Sequence, residues 1–134
     1  MAERAPGVSQ YGSVDPAPPQ NTGTLDEWST LLMDETAPMF QRMRTVFSLR
    51  NDGSDEACLA LCAAFISSSA LLRHELAYVL GQMQNPTALP TLIERLSDDQ
   101  EHIMVRHEAA EAMGAIGDPS VMPVSYTHLR AHET

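Results

Sequence analysis

Leu72-Arg73-His74-Glu75-Leu76-Ala77-Tyr78-Val79-Leu80-Gly81 and Val105-Arg106-His107-Glu108-Ala109-Ala110-Glu111-Ala112-Met113-Gly114 are two versions of one stretch, with their histidines 33 positions apart. Each sets Arg-His-Glu-apolar at the same point of a helical apolar pattern. Carried forward, the copies agree at Arg73/Arg106, His74/His107, Glu75/Glu108, Ala77/Ala110, Gly81/Gly114, Pro86/Pro119 and Pro90/Pro123. Seven agreements at one offset make a repeat. An earlier and weaker copy, Arg42-Met43-Arg44-Thr45-Val46-Phe47-Ser48-Leu49, keeps the apolar pattern but has Met43 and Arg44 where the others have His and Glu. Paired helices at a period near 33 describe an all-α chain, an α-solenoid of helical hairpins whose units cannot bury their apolar faces alone and therefore stack.

Local signals divide the chain further. Residues 1–23 hold Pro6, Pro16, Pro18 and Pro19 among Gly, Ser, Gln and Asn with no apolar period, the composition of a disordered leader. Thr24-Leu25-Asp26-Glu27 is a capping box that starts a short helix with Leu25, Trp28, Leu31 and Leu32 on one side. Thr36, with Pro38 in the first turn, marks a second start, and the helix runs through Arg50 until Asn51-Asp52-Gly53 closes it. Ser54 is the N-cap candidate of a third helix reaching Phe65, with Asp55 and Glu56 suited to the positive end of its dipole. After the break at Ser67-Ser68-Ser69, the first Arg-His-Glu helix covers about Ala70 to Gln84 and ends at Asn85-Pro86. Thr87 to Asp98 form the next, where Pro90 is tolerable if Thr87 is the cap. Ser97 to Glu101 read as a polar loop, and the second Arg-His-Glu helix spans roughly Ile103 to Ile116, stopped by Gly117 as a left-handed C-cap before Asp118-Pro119.

Bulk properties bound the function. The 134 residues, 43% hydrophobic, suffice for one modest core or a piece of a larger one. A net charge of −10 argues against nucleic acid or an anionic membrane as partner and suits a cationic substrate or a basic protein. No stretch approaches the roughly 18 consecutive apolar residues of a membrane span, and no basic-then-apolar leader suggests secretion, so the chain reads as cytoplasmic. Cys58 and Cys62, one helical turn apart in an apolar run, read as small buried core thiols.

Packing alone does not call for His and Glu at a fixed phase, and their duplication in register with the repeat points to chemistry. Neighbouring residues on a helix point about 100° apart, so His74 and Glu75 suit two different ions better than one. Stacked helices lie roughly 8–10 Å apart, which lets His74 and His107 converge on a metal between them while Glu75 and Glu108 line the adjacent space. Imidazole with carboxylate suits iron, and two such sets face to face would make a dinuclear centre for oxygen chemistry. Half of such a set is present. His102 has no partner at the repeat offset and reads as surface.

From about Phe40 to Pro123, and most closely in Leu71–Met83 and Val105–Pro119, the chain resembles the N-terminal half of the deoxyhypusine hydroxylase family. The resemblance implies HEAT-like helical repeats carrying four His-Glu motifs, two in each half, that together hold a non-haem di-iron centre. It also implies hydroxylation of the deoxyhypusine side chain of translation initiation factor 5A with molecular oxygen. His74 and His107 would then be iron ligands, Glu75 a carboxylate ligand to the second iron, and Glu108 either a ligand or the partner of the substrate's amine. Only the first two motifs exist in this sequence, so the chain is expected to be inactive by itself.

After Pro123 the repeat calls for an apolar helix, yet residues 124–134 show no period and read as a non-native tail outside the 24–123 repeat domain. His132-Glu133 falls 25 positions after His107-Glu108 and is therefore out of phase. A metal-free helical-repeat scaffold that binds a protein partner is the alternative reading. Pairing of two copies through open solenoid ends is a third.

Overall fold

The computed structural model describes residues 23–117, which form six α-helices and no strand. The expected leader 1–23, apart from Gly23, lies outside the described residues, as do Asp118-Pro119, Pro123, the tail 124–134 and His132-Glu133. Three hairpins follow one another: α1 (Leu25–Met33) with α2 (Met39–Asp52), α3 (Asp55–Ala63) with α4 (Ala70–Met83), and α5 (Leu89–Ser97) with α6 (Ile103–Ile116). In each the first helix has 9 residues and the second 14. The second helices begin at 39, 70 and 103, so the repeat steps by 31 and then by 33 residues. This is the expected stack of helical hairpins.

Local chemistry sets most of the boundaries. The Thr24 capping box forms with both of its hydrogen bonds, and Ser54 and Ser69 each accept a backbone N–H to open α3 and α4. Gly53 (φ 75°) and Gly117 (φ 76°) end α2 and α6 in the left-handed region, where a Cβ is costly. Two expected starts move. α2 begins at Met39 behind Pro38, whose φ of −57° presets the first turn, while Thr36 donates its N–H and hydroxyl to Asp34 Oδ1 at 2.9 and 2.6 Å. Likewise Thr87 is not the cap of α5: Asn85 accepts the Thr87 N–H at 2.9 Å and opens a 3₁₀ turn, Pro86–Ala88, and α5 follows from Leu89 with Pro90 in its first turn.

The second helices stack in the order α2, α4, α6, and the first helices pack against them as a second layer. In α4, Leu72, Leu76, Ala77, Val79 and Leu80 are fully buried, because this helix has a neighbour on each side. Cys58 and Cys62 are buried and not joined by a disulfide. Helices α4 and α6 approach closely at Gly81, where an added Cβ would lie 3.0 Å from the Ala112 Cα. Only glycine fits there without moving α6.

The arginine of each copy is a fastener. Arg42 Nε donates to the Leu32 carbonyl at 2.9 Å, and Arg106 Nε to the Leu96 carbonyl at 3.0 Å, in both cases ten residues back in the last turn of the preceding helix. Those carbonyls have no partner inside their own helix, and a buried guanidinium satisfies them while opposing the negative end of the dipole. Arg73 departs from this pattern. Its Nη1 donates to the Ser67 carbonyl at 2.8 Å, and its Nε and Nη2 grip Glu101 at 3.0 and 2.9 Å. Glu101, expected in a polar loop, is therefore buried, with only 1% of its side chain exposed.

Candidate metal centre

His74 and Glu75 stand in the second turn of α4, and His107 and Glu108 occupy the same turn of α6. All four are half-buried, whereas Met43, at the same position of α2, is buried in the core. The first copy thus spends this position on packing. Arg44, where the other copies have Glu, lies over the Phe40 ring at 5.7 Å.

Across the α4–α6 interface, His74 Nε2 lies 3.2 Å from Glu108 Oε2, and His74 Nδ1 lies 3.8 Å from Glu75 Oε1. One imidazole therefore stands between two carboxylates, close to Glu108 and farther from Glu75. Their side chains are 30%, 25% and 23% exposed for His74, Glu75 and Glu108, wet enough for an ion to reach and dry enough to raise its affinity. Burial pushes the Glu75 carboxyl above its ordinary value, and the neighbouring Glu108 charge adds to this against the opposing pull of His74. Two carboxylates crowded in this way favour a cation.

No hydrogen bond or ion pair among the described residues joins His107 to the other three, and no cluster of three or more His, Cys, Asp or Glu is arranged to hold an ion. The cross-helix approach that the structure shows is His74 to Glu108. As donors, one nitrogen and two carboxylates fit a first-row transition ion in type but are too few to complete a coordination sphere. The remaining donors would have to come from outside these residues.

Beside Glu108 a groove of about 270 Å³ runs between α4 and α6, lined by Tyr78, Gln82, Glu111 and Ala115 among others. Gln82 Nε2 donates to the Tyr78 hydroxyl at 3.3 Å, and Arg50 Nη1 donates to Gln82 Oε1 at 3.1 Å, which ties α2 to the groove wall. These residues escaped the sequence reading, although periodicity could have found them: Tyr78 follows His74, and Glu111 follows His107, by four positions on the same helix face. His102 is exposed as expected, and its Nδ1 accepts the Met104 N–H at 3.1 Å to cap α6.

A family model described as HEAT repeats matches residues 58–131. The chain belongs to the HEAT-repeat family. Deoxyhypusine hydroxylase from Candida albicans is 48% identical over 101 residues, 72% of this chain and 32% of that protein. The human deoxyhypusine hydroxylase is 46% identical over 100 residues, covering 75% of this chain and 33% of that protein. A solved structure of the human deoxyhypusine hydroxylase in complex with glycerol matches with a TM-score of 0.79 at 46% identity, over 97% of this chain and 43% of that one. The chain therefore spans about a third of the length of the curated relatives it matches. This likeness agrees with the resemblance carried by the Arg-His-Glu stretches.

Proposed function

We propose that this HEAT-repeat chain supplies one half of the iron site of a deoxyhypusine monooxygenase, which acts on the deoxyhypusine side chain of translation initiation factor 5A. The observation that carries the reading is the approach of His74 to Glu108 across two repeats whose His-Glu pairs share one phase. Identity near one half to deoxyhypusine hydroxylases supports it.

In this reading His74, Glu75, His107 and Glu108 are the metal-binding residues contributed by the chain. Two iron ions, when bound, supply the activation of molecular oxygen. The chain's own residues hold and orient. His74 and the two carboxylates beside it would provide a nitrogen and oxygens to the metal. Glu111 and Glu108 give the adjacent groove the negative charge that a cationic side chain requires, in keeping with the net charge of −10. Tyr78 and Gln82 shape its wall. Cytoplasmic localisation belongs to the same reading and is supported by two unpaired, buried cysteines.

Anaerobic Fe(II) titration of the native chain, His74→Ala and His107→Ala tests the assignment. Each variant is expected to bind about tenfold more weakly or worse, in line with the loss of a metal-site residue. Equal affinity in all three proteins would overturn the site and leave the metal-free scaffold as the better reading. A turnover assay with iron, reductant and deoxyhypusine-bearing substrate is expected to show no product from the chain alone. Robust hydroxylation would overturn the half-site reading.

A further inference from the structure

Two tie points straddle the His74–Glu108 approach. Towards the helix N-termini, the buried Glu101 carboxylate, one residue before the cap of α6, accepts Arg73 Nε on both oxygens at 3.0 Å and Arg73 Nη2 at 2.9 Å. It also accepts Arg95 Nη1 at 3.2 Å and the His102 N–H at 2.7 Å. Arg73 is the residue before His74, so this clamp grips the very turn of α4 that carries the imidazole. Towards the C-termini, the missing Cβ of Gly81 lets the Ala112 backbone come within 3.0 Å of where that Cβ would be. Gly81 follows His74 by seven positions and Ala112 follows Glu108 by four, so each lies on the same face of its helix as the residue it follows.

The His74–Glu108 pair cannot itself be what sets this spacing. Both side chains are partly exposed, and a pair of that kind contributes little to holding helices together. A many-bonded buried carboxylate and a backbone-to-backbone contact are the stronger constraints. Fixing two stiff helices at points on either side of an interval also fixes their separation within it.

We infer that Glu101 and Gly81 are positioning residues: through Arg73 and Ala112 they set the α4–α6 spacing that holds His74 against Glu108. The functional meaning of this rests on the metal reading above; the geometric claim does not. The test uses the metal-free chain, labelled for NMR, and reads the nuclear Overhauser effect between the His74 ring protons and the Glu108 side-chain methylenes. Glu101→Gln, Arg73→Lys and Gly81→Ala are compared with the native chain and with Leu92→Ala, a core truncation in α5 that removes none of the bonds named above. Folding of each is checked by circular dichroism, and Arg73→Lys, which keeps the charge but loses the fork, serves as the mildest change.

The expected result is a cross-peak that is lost in Glu101→Gln and Gly81→Ala, weakened in Arg73→Lys, and retained in Leu92→Ala. A cross-peak retained in the clamp variants, even if they are less stable, would overturn the inference and leave these residues a purely structural part. Loss in Leu92→Ala as well would also overturn it, because the spacing would then follow overall stability. Fe(II) titration of the same proteins and of His74→Ala separates the two claims. Iron bound as tightly by His74→Ala as by the native chain, with the cross-peaks behaving as expected, removes the metal reading and keeps the positioning.

Discussion

At the scale of single residues, the repeated triplet divides its labour. Its arginine is a fastener, and its histidine and glutamate face a shared space between helices. Glu101 carries a concentrated electrostatic role, since it is buried with Arg73 and Arg95 both directed at it. Glu101→Ala leaves two guanidinium groups without their carboxylate, and a loss of about 3 kcal/mol is expected in urea unfolding. The same residue sets a pH dependence. Burial opposes its charge, but the hydrogen bonds from Arg73, the His102 N–H and Arg95 outweigh it and hold the carboxyl below its ordinary value near 4.5. A depressed folded-state value stabilises the fold above the unfolded value, and that contribution is lost as pH falls through the folded one. Unfolding of native protein and Glu101→Gln from pH 6 down to about pH 3 should therefore show a shallower decline in the variant. Glu35, held down to about 2 chiefly by the Ser68 hydroxyl and N–H, has the same sign.

At the scale of elements, the helix ends show what sequence can and cannot deliver. Caps built from residues two or three positions apart, such as Thr24 with Glu27 or Ser54 with the Ala57 N–H, are legible because both partners lie in one short window. The glycine stops are legible for the same reason. Thr36 and Thr87 misled because nearby Asp34 and Asn85 capture the backbone first, a competition between equally plausible local bonds. Burial of Glu101 was not legible, since its main partner, Arg73, is 28 residues away. The 33-residue phase located His74, Glu75, His107 and Glu108, but which of them approach each other depends on how α6 sits on α4. One helix end is strained: Gln84 closes α4 with φ at 56°, a conformation that costs a side chain roughly 1 kcal/mol. Gln84→Gly is expected to raise the melting midpoint by about 4–8 °C for a domain of this size, read by calorimetry. An unchanged or lowered midpoint would show that Gln84 is held there by other bonds.

For the whole molecule, a stack of hairpins has no single centre, and stability depends on how many neighbours each unit has. Helix α1 buries only Leu32, whereas α4 buries six residues between α2 and α6. Hydrogen exchange should therefore release α1 first and α4 last; uniform protection across both would show that the hairpins unfold as one unit. The arginine bonds of the outer two hairpins bear on how such a molecule comes to exist. Arg42 and Arg106 attach to main-chain carbonyls of their own hairpins, an acceptor that any amino acid provides. A duplicated gene segment encoding one hairpin therefore arrives with its internal latch already working, and later substitutions ten residues upstream cannot remove the acceptor. The tie between Arg73 and Glu101 has the opposite heredity. It spans two units and requires a particular side chain in each: Arg73 recurs as Arg106, but the position 33 before Glu101 is Ser68, so only one side of the tie is duplicated.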